Sequence, residues 1–395
     1  MPGAVLVLSG VNVCIGLGYG IAAPVIPVLA AAFQVSDLAA SGVVSAYALA
    51  RIIAAPWASR IAARVSPGPL MAVAMTVTAV TSLLAGLAGS FEGLLIWRAI
   101  GGAATVFTSV AGQTLLYRVA PADARGRATA TFHAGFLAGG VAGPLVGGLI
   151  AEVSLAAPLL IYGGLLLVGG LFAVAMLGRL RRTETAEVPA VAAVMGLREA
   201  WADRRFGVAI ATQFANAWIG NGLRFTVIPL FVAAVLHRDP FWTGVGLLVA
   251  GVVQVACAPV SGRLVDRWSR RGPLAIGGVV AAGSAVLLAV DETVPGYLVA
   301  MALSGLAASL GTVAGGAMLG DVLAGRSGPP IAWYQMAFDV AGVVAPLASG
   351  AVAASWSYSA AFLVAAVVSL GSVVTVLATR RGAGGDGPPG VAHAP

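Results

Sequence analysis

Residues 139–148 read GGVAGPLVGG and lie inside an apolar run that extends from about residue 128 to residue 151. Five glycines and one proline fill these positions, although glycine costs a helix about 1 kcal/mol relative to alanine and interior proline about 3 kcal/mol. Small residues four apart line one face of a helix and let a neighbouring backbone approach closely. Proline bends a helix, which packing inside a membrane protein tolerates. The stretch therefore predicts a bent helix in a bilayer, packed closely against another helix.

The composition of the whole chain is that of an integral membrane protein. The 395 residues are 59% hydrophobic and 9% charged, whereas a soluble domain carries about 25% charged residues. The formal net charge of +7 would suggest nucleic-acid binding in a soluble protein. In a membrane protein it indicates arginines that face anionic lipid. We therefore predict a lipid bilayer, and not nucleic acid, as the partner of this charge.

The hydropathy pattern predicts an all-α fold with twelve membrane spans, because a span needs about 20 mostly apolar residues. Spans 1 to 12, in chain order, are predicted at residues 4–32, 39–60, 69–89, 92–117, 128–151, 156–178, 206–235, 242–264, 273–290, 295–320, 330–354 and 357–379. A polar connection, 179–205, divides the chain into an N-terminal half, 1–178, and a C-terminal half, 206–379. The Gly/Pro-rich tail, 380–395, is predicted to be disordered and cytoplasmic.

The distribution of arginine predicts the orientation of the spans. The connections after spans 2, 4, 6, 8 and 10, together with the tail, hold every arginine of the chain except Arg51, Arg98, Arg224 and Arg238. The opposite connections hold Arg238 and most of the loop acids, which are Asp37, Glu92, Glu152, Asp239, Asp291 and Glu292. We therefore expect a plasma-membrane protein with both termini in the cytoplasm.

The two halves repeat each other at an offset of 202 to 204 residues. Span 2 and its loop read APWASRIAARVSPGPL from residue 55, and span 8 with its loop reads APVSGRLVDRWSRRGPL from residue 258. VIP occurs at 25–27 and again at 227–229, and Gly143-Pro144 has its counterpart in Ala345-Pro346. A repeat of six spans predicts two pseudo-symmetric six-helix bundles, an architecture of secondary transporters.

Several motifs resemble the major facilitator superfamily, and within it the twelve-helix drug:proton antiporters. The antiporter motif of span 5 is matched by Gly139, Gly143, Pro144, Gly147 and Gly148. The family's loop motif is matched after span 8 by Gly262, Asp266, Arg267, Arg270 and Arg271, whereas the loop after span 2 lacks its acid. WRAIGGAATVF, which contains Arg98, resembles the span 4 motif, PADARGRA (121–128) the loop that follows it, and WYQMAFDVAG (333–342) the span 11 pattern.

The resemblance implies a proton-coupled efflux transporter that works by alternating access on a small organic molecule such as a drug, antibiotic or secondary metabolite. It implies no cofactor, since the proton gradient drives transport, and we expect a monomer. No catalytic triad, metal cluster or phosphate loop is visible in the sequence, so an enzyme is not expected. Two alternatives stay open: a proton-coupled importer of a small anion or sugar, and a non-transporting membrane sensor on the same fold.

Two hypotheses concern the motifs themselves. The span 5 motif is expected to pack across the boundary between the halves and to seal one side of the transporter. The loop at 262–271 is expected to form a latch at the cytoplasmic end that controls opening.

Four charged residues and one histidine lie within the predicted spans, where a charge is costly and usually faces a cavity. Asp339 is the one carboxylate well inside a span, so we expect it to carry protons, unless it forms a structural ion pair with Arg51 or Arg224. The resemblance implicates Arg98 in proton handling, and His133 titrates near neutral pH. Proton coupling is therefore assigned to Asp339, Arg98 and His133.

Polar and aromatic residues within the spans predict the lining of a substrate cavity. The candidates are Arg51, Arg224, Asn221, Asn216, Gln213, Trp218, Tyr47, Asn12, Gln113, Gln254, Tyr334 and Gln335, and many of them are expected only to bond neighbouring helices. Three arginines against one aspartate make the interior net positive if all face it. This charge favours a neutral or anionic substrate over a lipophilic cation.

Overall fold

The computed structural model of the chain describes residues 3–62, 64–119, 125–180, 195–324 and 328–379. Nearly all of these residues are helical, and no strand occurs among them. The helices are Gly3–Ala22, Ile26–Ala31, Asp37–Ala62, Pro67–Gly86, Phe91–Val119, Arg125–Val153, Ala157–Leu180, Leu197–Ala202, Arg204–Ala217, Trp218–Val227, Ile228–Ala234, Pro240–Arg267, Arg271–Val290, Val294–Leu323, Pro329–Ser355 and Tyr358–Ala378.

The predicted spans are present in this helix set. Eleven helical stretches in the described part of the chain are long and apolar enough to cross a bilayer. Span 6 is the helix Ala157–Leu180, which is apolar over residues 157–172. The predicted ends differ from the observed ones by at most three residues. The tail 380–395, loop residues 120–124 and residues 181–194 of the connection between the halves lie outside the described residues.

Local sequence explains where the spans begin. Proline stands in the first turn of several of them, as at Pro67, Pro240 and Pro329, where its missing N–H removes no helical hydrogen bond. Span 12 begins after Ser357, whose hydroxyl accepts a hydrogen bond from the Ala360 N–H. Span 10 begins after Thr293, which caps Gly296 in the same way. Such caps satisfy backbone donors that the first helical turn leaves free.

Spans 1 and 7 are present as predicted, but neither is a regular α-helix over its whole length. Span 1 consists of two helices separated by residues 23–25, because Pro24 has no N–H to continue the helical ladder. Span 7 changes to a π-helix over Trp218–Val227. In this wider turn the Thr226 hydroxyl donates to the carbonyl oxygen of Asn221, five residues earlier, at 2.6 Å. A π segment inside an α-helix frequently marks a functional site.

The two halves pack their spans in the same way, which confirms the predicted pair of pseudo-symmetric bundles. In the N-terminal half, span 1 packs on spans 5 and 6, and span 4 packs on spans 2 and 3. Six spans later, span 7 packs on spans 11 and 12, and span 10 packs on spans 8 and 9. The halves meet mainly through two crossed pairs, span 2 with span 11 and span 5 with span 8. These two pairs exchange places under the pseudo-two-fold relation.

The contacts between the halves are concentrated toward the end of the bundle that lies opposite the arginine-rich end. The arginine-rich end is defined here by Arg60, Arg263, Arg267, Arg270 and Arg271, and the opposite end by the acids Asp37, Glu92, Glu152, Asp239 and Asp291. The Ser45 hydroxyl of span 2 donates to the Val343 carbonyl oxygen of span 11 at 2.8 Å. The Tyr358 hydroxyl of span 12 donates to an Asp37 carboxylate oxygen at 2.8 Å.

Spans 2, 5, 8 and 11, which form the contact between the halves, expose large side chains toward the arginine-rich end. Trp57 in span 2 is 58% exposed and Val260 in span 8 is 52% exposed. Met336 and Phe338 in span 11 and Leu137 in span 5 are also exposed. The bundle is thus closed at the opposite end, and its interior opens toward the arginine-rich end.

Replacing Tyr358 with phenylalanine is expected to weaken the closed end without disturbing the fold, because it removes one hydrogen bond between the halves and keeps the ring. One such bond contributes about 1 kcal/mol, which corresponds to roughly a fivefold shift toward the conformation open at the opposite end. Distances between spin labels on the two halves would measure the shift. Tyr297→Phe is the matched control, because the Tyr297 hydroxyl bonds within the C-terminal half, to the Trp242 carbonyl oxygen. An unchanged distance distribution in Tyr358→Phe would contradict the expectation.

Candidate functional site

Arg51 and Asp339 form an ion pair across the boundary between the halves. Arg51 lies in span 2 and Asp339 in span 11, and the distance from Nη2 to Oδ1 is 3.9 Å. This is longer than the 2.7–2.9 Å of a charge-assisted hydrogen bond, and both side chains keep about a quarter of their surface exposed, at 24% and 23%. The sequence left the partner of Asp339 open between Arg51 and Arg224, and the structure selects Arg51. A long, partly hydrated pair of this kind can separate at small cost.

Arg98 lies in span 4 of the N-terminal half and has no carboxylate partner among the described residues. Its side chain is 5% exposed, and its guanidinium carbon lies 4.3 Å from the centroid of the Tyr47 ring. Tyr47 is held in place by its hydroxyl, which donates to Thr105 Oγ1 at 2.8 Å. Within the part of the chain that the structure describes, the Nε of Arg98 has no hydrogen-bond partner. Because the face of an aromatic ring attracts a cation, Tyr47 stabilises the Arg98 charge without neutralising it.

Gly102 explains how span 4 brings Arg98 so close to span 2. A Cβ atom at position 102 would overlap the carbonyl oxygen of Tyr47. The glycine lies about one helical turn beyond Arg98 in span 4, so the helix backbones approach directly at this point. Among the described residues, no carboxylate oxygen lies within 4.0 Å of the Arg98 guanidinium, so its role in proton handling stays a prediction.

Arg224 lies in the π segment of span 7 and is bonded only to neutral groups. It is 9% exposed, its Nη2 donates to Ser304 Oγ of span 10 at 3.0 Å, and its Nη1 donates to Gln254 Oε1 of span 8 at 3.5 Å. The Ser304 hydroxyl in turn donates to the Met301 carbonyl oxygen at 2.9 Å. The wider π turn places both Asn221 and Arg224 within the helix bundle.

An aromatic contact joins the two groups of charged residues. The ring of Tyr19 in span 1 lies 5.8 Å from the ring of Phe225 in span 7, edge to face, and it also contacts Phe136 of span 5 at 6.2 Å. The Tyr19 hydroxyl interacts electrostatically with both Arg98 and Arg51. Phe225 directly follows Arg224, so Tyr19 and Phe225 connect the arginines of the N-terminal half with the π segment of the C-terminal half.

The remaining candidate lining residues divide into two groups. Several bond or pack inside one half and do not line the boundary: Asn12 donates to the Phe132 carbonyl oxygen at 2.7 Å, Asn216 lies against Gly311, Trp218 against Phe214, and Tyr334 against Gly315. Gln113 and Gln335 are exposed, and Gln213 is half-buried. His133, the histidine assigned to proton coupling, is also exposed. Asn12, Asn216, Trp218 and Tyr334 thus have neighbours within one half in this conformation, as expected for polar groups that join adjacent helices, and their part in a cavity stays a prediction.

The span 5 motif packs both on span 1 of its own half and on span 8 across the boundary, and its part in sealing one side stays a prediction. A Cβ atom at Gly139 would overlap Leu17, one at Gly143 would lie 2.7 Å from Gly20 Cα, and one at Gly147 would overlap Ile21. All three contacts are with span 1 of the same half. Other positions of the stretch reach span 8: a Cβ at Gly148 would lie 2.8 Å from the Pro240 carbonyl oxygen, one at Gly244 would overlap the Pro144 carbonyl oxygen, and one at Gly251 would lie 3.0 Å from the Val141 side chain.

The loop after span 8 bonds to its own half in this conformation. Arg270 Nε lies 2.9 Å from an Asp321 carboxylate oxygen at the end of span 10, and its Nη1 donates to the Val265 carbonyl oxygen. Asp266 and Arg267 are exposed, and Gly262 has open space beside its Cα. Because the bundle is open at the end where this loop lies, a latch between the halves is not expected to be formed here.

An apolar crevice of about 500 Å³ lies between spans 7, 11 and 12, away from the Arg51–Asp339 pair. Phe214, Trp333, Met336, Val368 and Trp201 of the connecting helix contribute to its walls. The rings of Trp201 and Trp333 meet edge to face with centroids 6.3 Å apart. The described residues that line the crevice are apolar except for Ser372 and Thr375 and the indole groups of Trp201 and Trp333.

Sequence reasoning missed three residues of this site: Tyr19, Thr105 and Ser304. A hydroxyl in an apolar helix gives a weak signal, because most such groups bond to the preceding helical turn, as Thr105 does to the Gly101 carbonyl oxygen. A stronger signal was the run GLGYGIAAP at residues 16–24, where glycines flank a tyrosine just before a break in the helix.

Comparison with known proteins places this fold in one family. The sequence model of the Major Facilitator Superfamily matches residues 8–290 and, in a second match, residues 219–393. The solved structure of the nucleoside transporter NupG has a TM-score of 0.72 at 14% identity, and the alignment covers 96% of this chain and 99% of that chain. At this identity the likeness concerns the fold alone.

Two curated relatives match a shorter part of the chain. The class C tetracycline resistance protein of Escherichia coli is 31% identical over 157 residues, which are 38% of this chain and 38% of the relative. Multidrug resistance protein 1 of Bacillus subtilis (strain 168) is 27% identical over 175 residues, 44% of each chain. The matches thus span less than half of these relatives. Because the family model covers more than half of the chain, the chain belongs to the major facilitator superfamily, whose members are membrane transporters of small molecules and not enzymes.

Proposed function

We propose that the protein is a proton-coupled antiporter that exports a small organic molecule, such as a drug, antibiotic or secondary metabolite, by alternating access. The observation that carries the proposal is the Arg51–Asp339 ion pair, which joins the two halves at the inner edge of their contact. The tetracycline and multidrug resistance proteins among the relatives support export as the direction.

Asp339 is the proton carrier in this mechanism. While it is ionised it attracts Arg51 across the boundary and favours the conformation that is closed at the opposite end. Protonation removes the negative charge and with it the attraction, so the halves can rock apart there. Because the pair is separated by 3.9 Å and partly hydrated, neither the proton nor a competing substrate anion has to break a tight hydrogen bond.

Arg98 and His133 are also proposed to take part in proton coupling, in different roles. Arg98 is the proposed fixed positive charge of the N-terminal half, held over the Tyr47 ring. His133 is exposed toward the arginine-rich end, about 12 Å along span 5 from Arg125 by helical rise. There it can exchange protons between the interior and water.

The arginine-rich end is assigned to the cytoplasm by the positive-inside rule. On this assignment both termini are cytoplasmic, and the interior in this conformation faces the cytoplasm, from which an exporter takes its substrate. Transport is driven by the proton gradient across the plasma membrane without a cofactor, and the proposed active unit is a monomer.

Proton movement in proteoliposomes that hold a pH gradient tests the proposal. A panel of cationic, neutral and anionic drugs is added, and the gradient is followed with a pH-sensitive dye. We expect at least one member of the panel to dissipate the gradient faster than protein-free liposomes do. If no member of the panel moves protons and none is itself transported, the protein is not an antiporter, and a sensor role on the same fold takes its place.

A further inference from the structure

Two buried arginines of the interior have no anionic partner in the described part of the chain. Arg98 is 5% exposed and Arg224 is 9% exposed. The Arg98 guanidinium lies over the face of the Tyr47 ring, and among the described residues the hydrogen bonds of Arg224 go to the neutral side chains of Ser304 and Gln254. A buried ion without a counter-charge is costly, because it has lost its hydration and gained nothing of equal strength.

The single carboxylate of the interior does not compensate for these charges. Asp339 pairs with Arg51, so Arg98 and Arg224 together leave the interior with an excess of two positive charges. The other described acids of the chain stand at the ends of spans or in connections, as Asp37 and Asp321 do. An excess of this kind in a low-dielectric interior attracts an anion and repels a cation.

The geometry around Arg98 suits a carboxylate attached to an aromatic body. Its guanidinium rests on the Tyr47 ring, while Nε has no acceptor. The planar fork of arginine matches the two oxygens of a carboxylate. The rings of Tyr19 and Phe225 meet between the two halves, with the Tyr19 hydroxyl within electrostatic reach of Arg98. These rings offer an apolar, aromatic surface beside the charge.

From these contacts we infer that the transported molecule is an aromatic organic anion, whose carboxylate binds at Arg98 and whose rings contact Tyr19 and Phe225. The inference rests on the proposed function, because it names the substrate class of the same site. Binding of the anion also places a second negative charge near Arg51, where it competes with Asp339. This competition gives substrate and proton a physical reason to exclude each other.

Three probes of nearly the same shape separate charge from shape: naphthalene-2-carboxylate, naphthalene-2-carboxamide and 2-naphthylmethylammonium. Their binding to the purified full-length protein is measured by titration calorimetry at physiological salt, independently of any transport. We expect the carboxylate to bind about tenfold or more tightly than the amide, which is the value of one or two charge-assisted hydrogen bonds. We expect no measurable binding of the cation.

Substitutions locate the effect. Arg98→Gln is expected to remove the preference for the carboxylate and to leave the binding of the amide unchanged, and Arg98→Lys is expected to restore the preference in part, because it keeps the charge without the fork. Arg238→Gln, at an exposed arginine of the opposite end, is the control and should change nothing. Size-exclusion chromatography shows whether each variant is folded. If Arg98→Gln does not fold, a monodisperse Arg98→Lys variant still tests the inference.

The inference is overturned if the amide or the cation binds as tightly as the carboxylate, if none of the three binds, or if both Arg98 variants keep the wild-type preference. Its failure is distinguishable from failure of the proposed function. If cationic or neutral drugs dissipate the proton gradient while the carboxylate does not bind, antiport stands and the substrate class is wrong. If the carboxylate binds but no drug of the panel moves protons, the substrate class stands and antiport is wrong.

Discussion

Asp339→Asn is expected to abolish proton movement and to leave exchange of substrate across the membrane intact. Asparagine has almost the shape of the protonated carboxyl group and cannot ionise, so the variant is held in the state that Asp339 reaches after binding a proton. Arg51 then loses its counter-charge, and the attraction between spans 2 and 11 disappears at this point. The halves can still rock around a bound substrate, but no proton travels with them.

Two measurements in proteoliposomes separate these effects. Substrate-induced dissipation of a pH gradient should fall to the level of protein-free liposomes, whereas exchange of labelled for unlabelled substrate should stay of the same order as in the wild type. Glu152→Gln is the matched control, because Glu152 is an exposed carboxylate at the end of span 5. If Asp339→Asn moves protons as the wild type does, Asp339 is structural and His133 becomes the leading carrier.

A double variant that combines Arg51→Gln with Asp339→Asn tests whether Arg51 and Asp339 act as one unit. The effects of substituting both members of an ion pair are not additive, because the first substitution has already removed the interaction that the second would remove. We therefore expect Arg51→Gln/Asp339→Asn to be no more impaired in exchange than Asp339→Asn alone. A large additional loss in the double variant would show that Arg51 acts apart from Asp339.

Gly148→Ala is expected to prevent the opposite end from closing. A Cβ atom at this position would lie 2.8 Å from the Pro240 carbonyl oxygen and 2.9 Å from Phe241 Cα, closer than non-bonded atoms approach. Both neighbours belong to the backbone of span 8, so no side chain can turn away to relieve the contact. Overpacking of this kind costs about 1–3 kcal/mol, or roughly a 5- to 150-fold shift toward the conformation in which spans 5 and 8 separate.

The matched control lies on the same helix. At Gly140 an added Cβ would approach only the Gly16 carbonyl oxygen, at 4.0 Å, so Gly140→Ala should behave as the wild type. Spin labels at the exposed positions Val153 and Arg238, in a chain whose two cysteines are replaced, would report the separation of the halves. Gly148→Ala should lengthen this distance and lower the transport rate. Equal distances in Gly148→Ala and Gly140→Ala would contradict the account of the closed end.

The helical fold could be predicted from the sequence almost completely, because one strong physical signal decides it. Spans 2 to 6 and 8 to 12 follow from hydropathy, and the arginine pattern predicts which ends lie together. The interruptions of spans 1 and 7 could not be predicted with the same certainty. Prolines such as Pro56 and Pro259 stand inside helices that continue through them, whereas Pro24 ends one, and only the neighbouring helices decide between the two outcomes.

The sequence predicted which charged residues belong to the site, but not which of them pair with each other. Arg51, Arg98, Arg224 and Asp339 were identified because a charge inside a membrane span is rare and costly. Which arginine meets Asp339 depends on how spans 2 and 11 cross, and sequence spacing carries no such information. The span 5 glycines show the same limit: their spacing indicates a close helix contact, but it does not reveal that span 1 is the partner of Gly139, Gly143 and Gly147.

The direction of proton movement while substrate runs down its own gradient tests the central claim most directly. Proteoliposomes are loaded with the member of the drug panel that dissipates the pH gradient best, diluted into drug-free buffer without a pH gradient, and followed with an internal pH dye. The account predicts that protons enter as the drug leaves, so that the interior acidifies, and that Asp339→Asn shows no change. Alkalinisation of the interior as the drug leaves would mean that drug and proton travel together, and the protein would be a symporter.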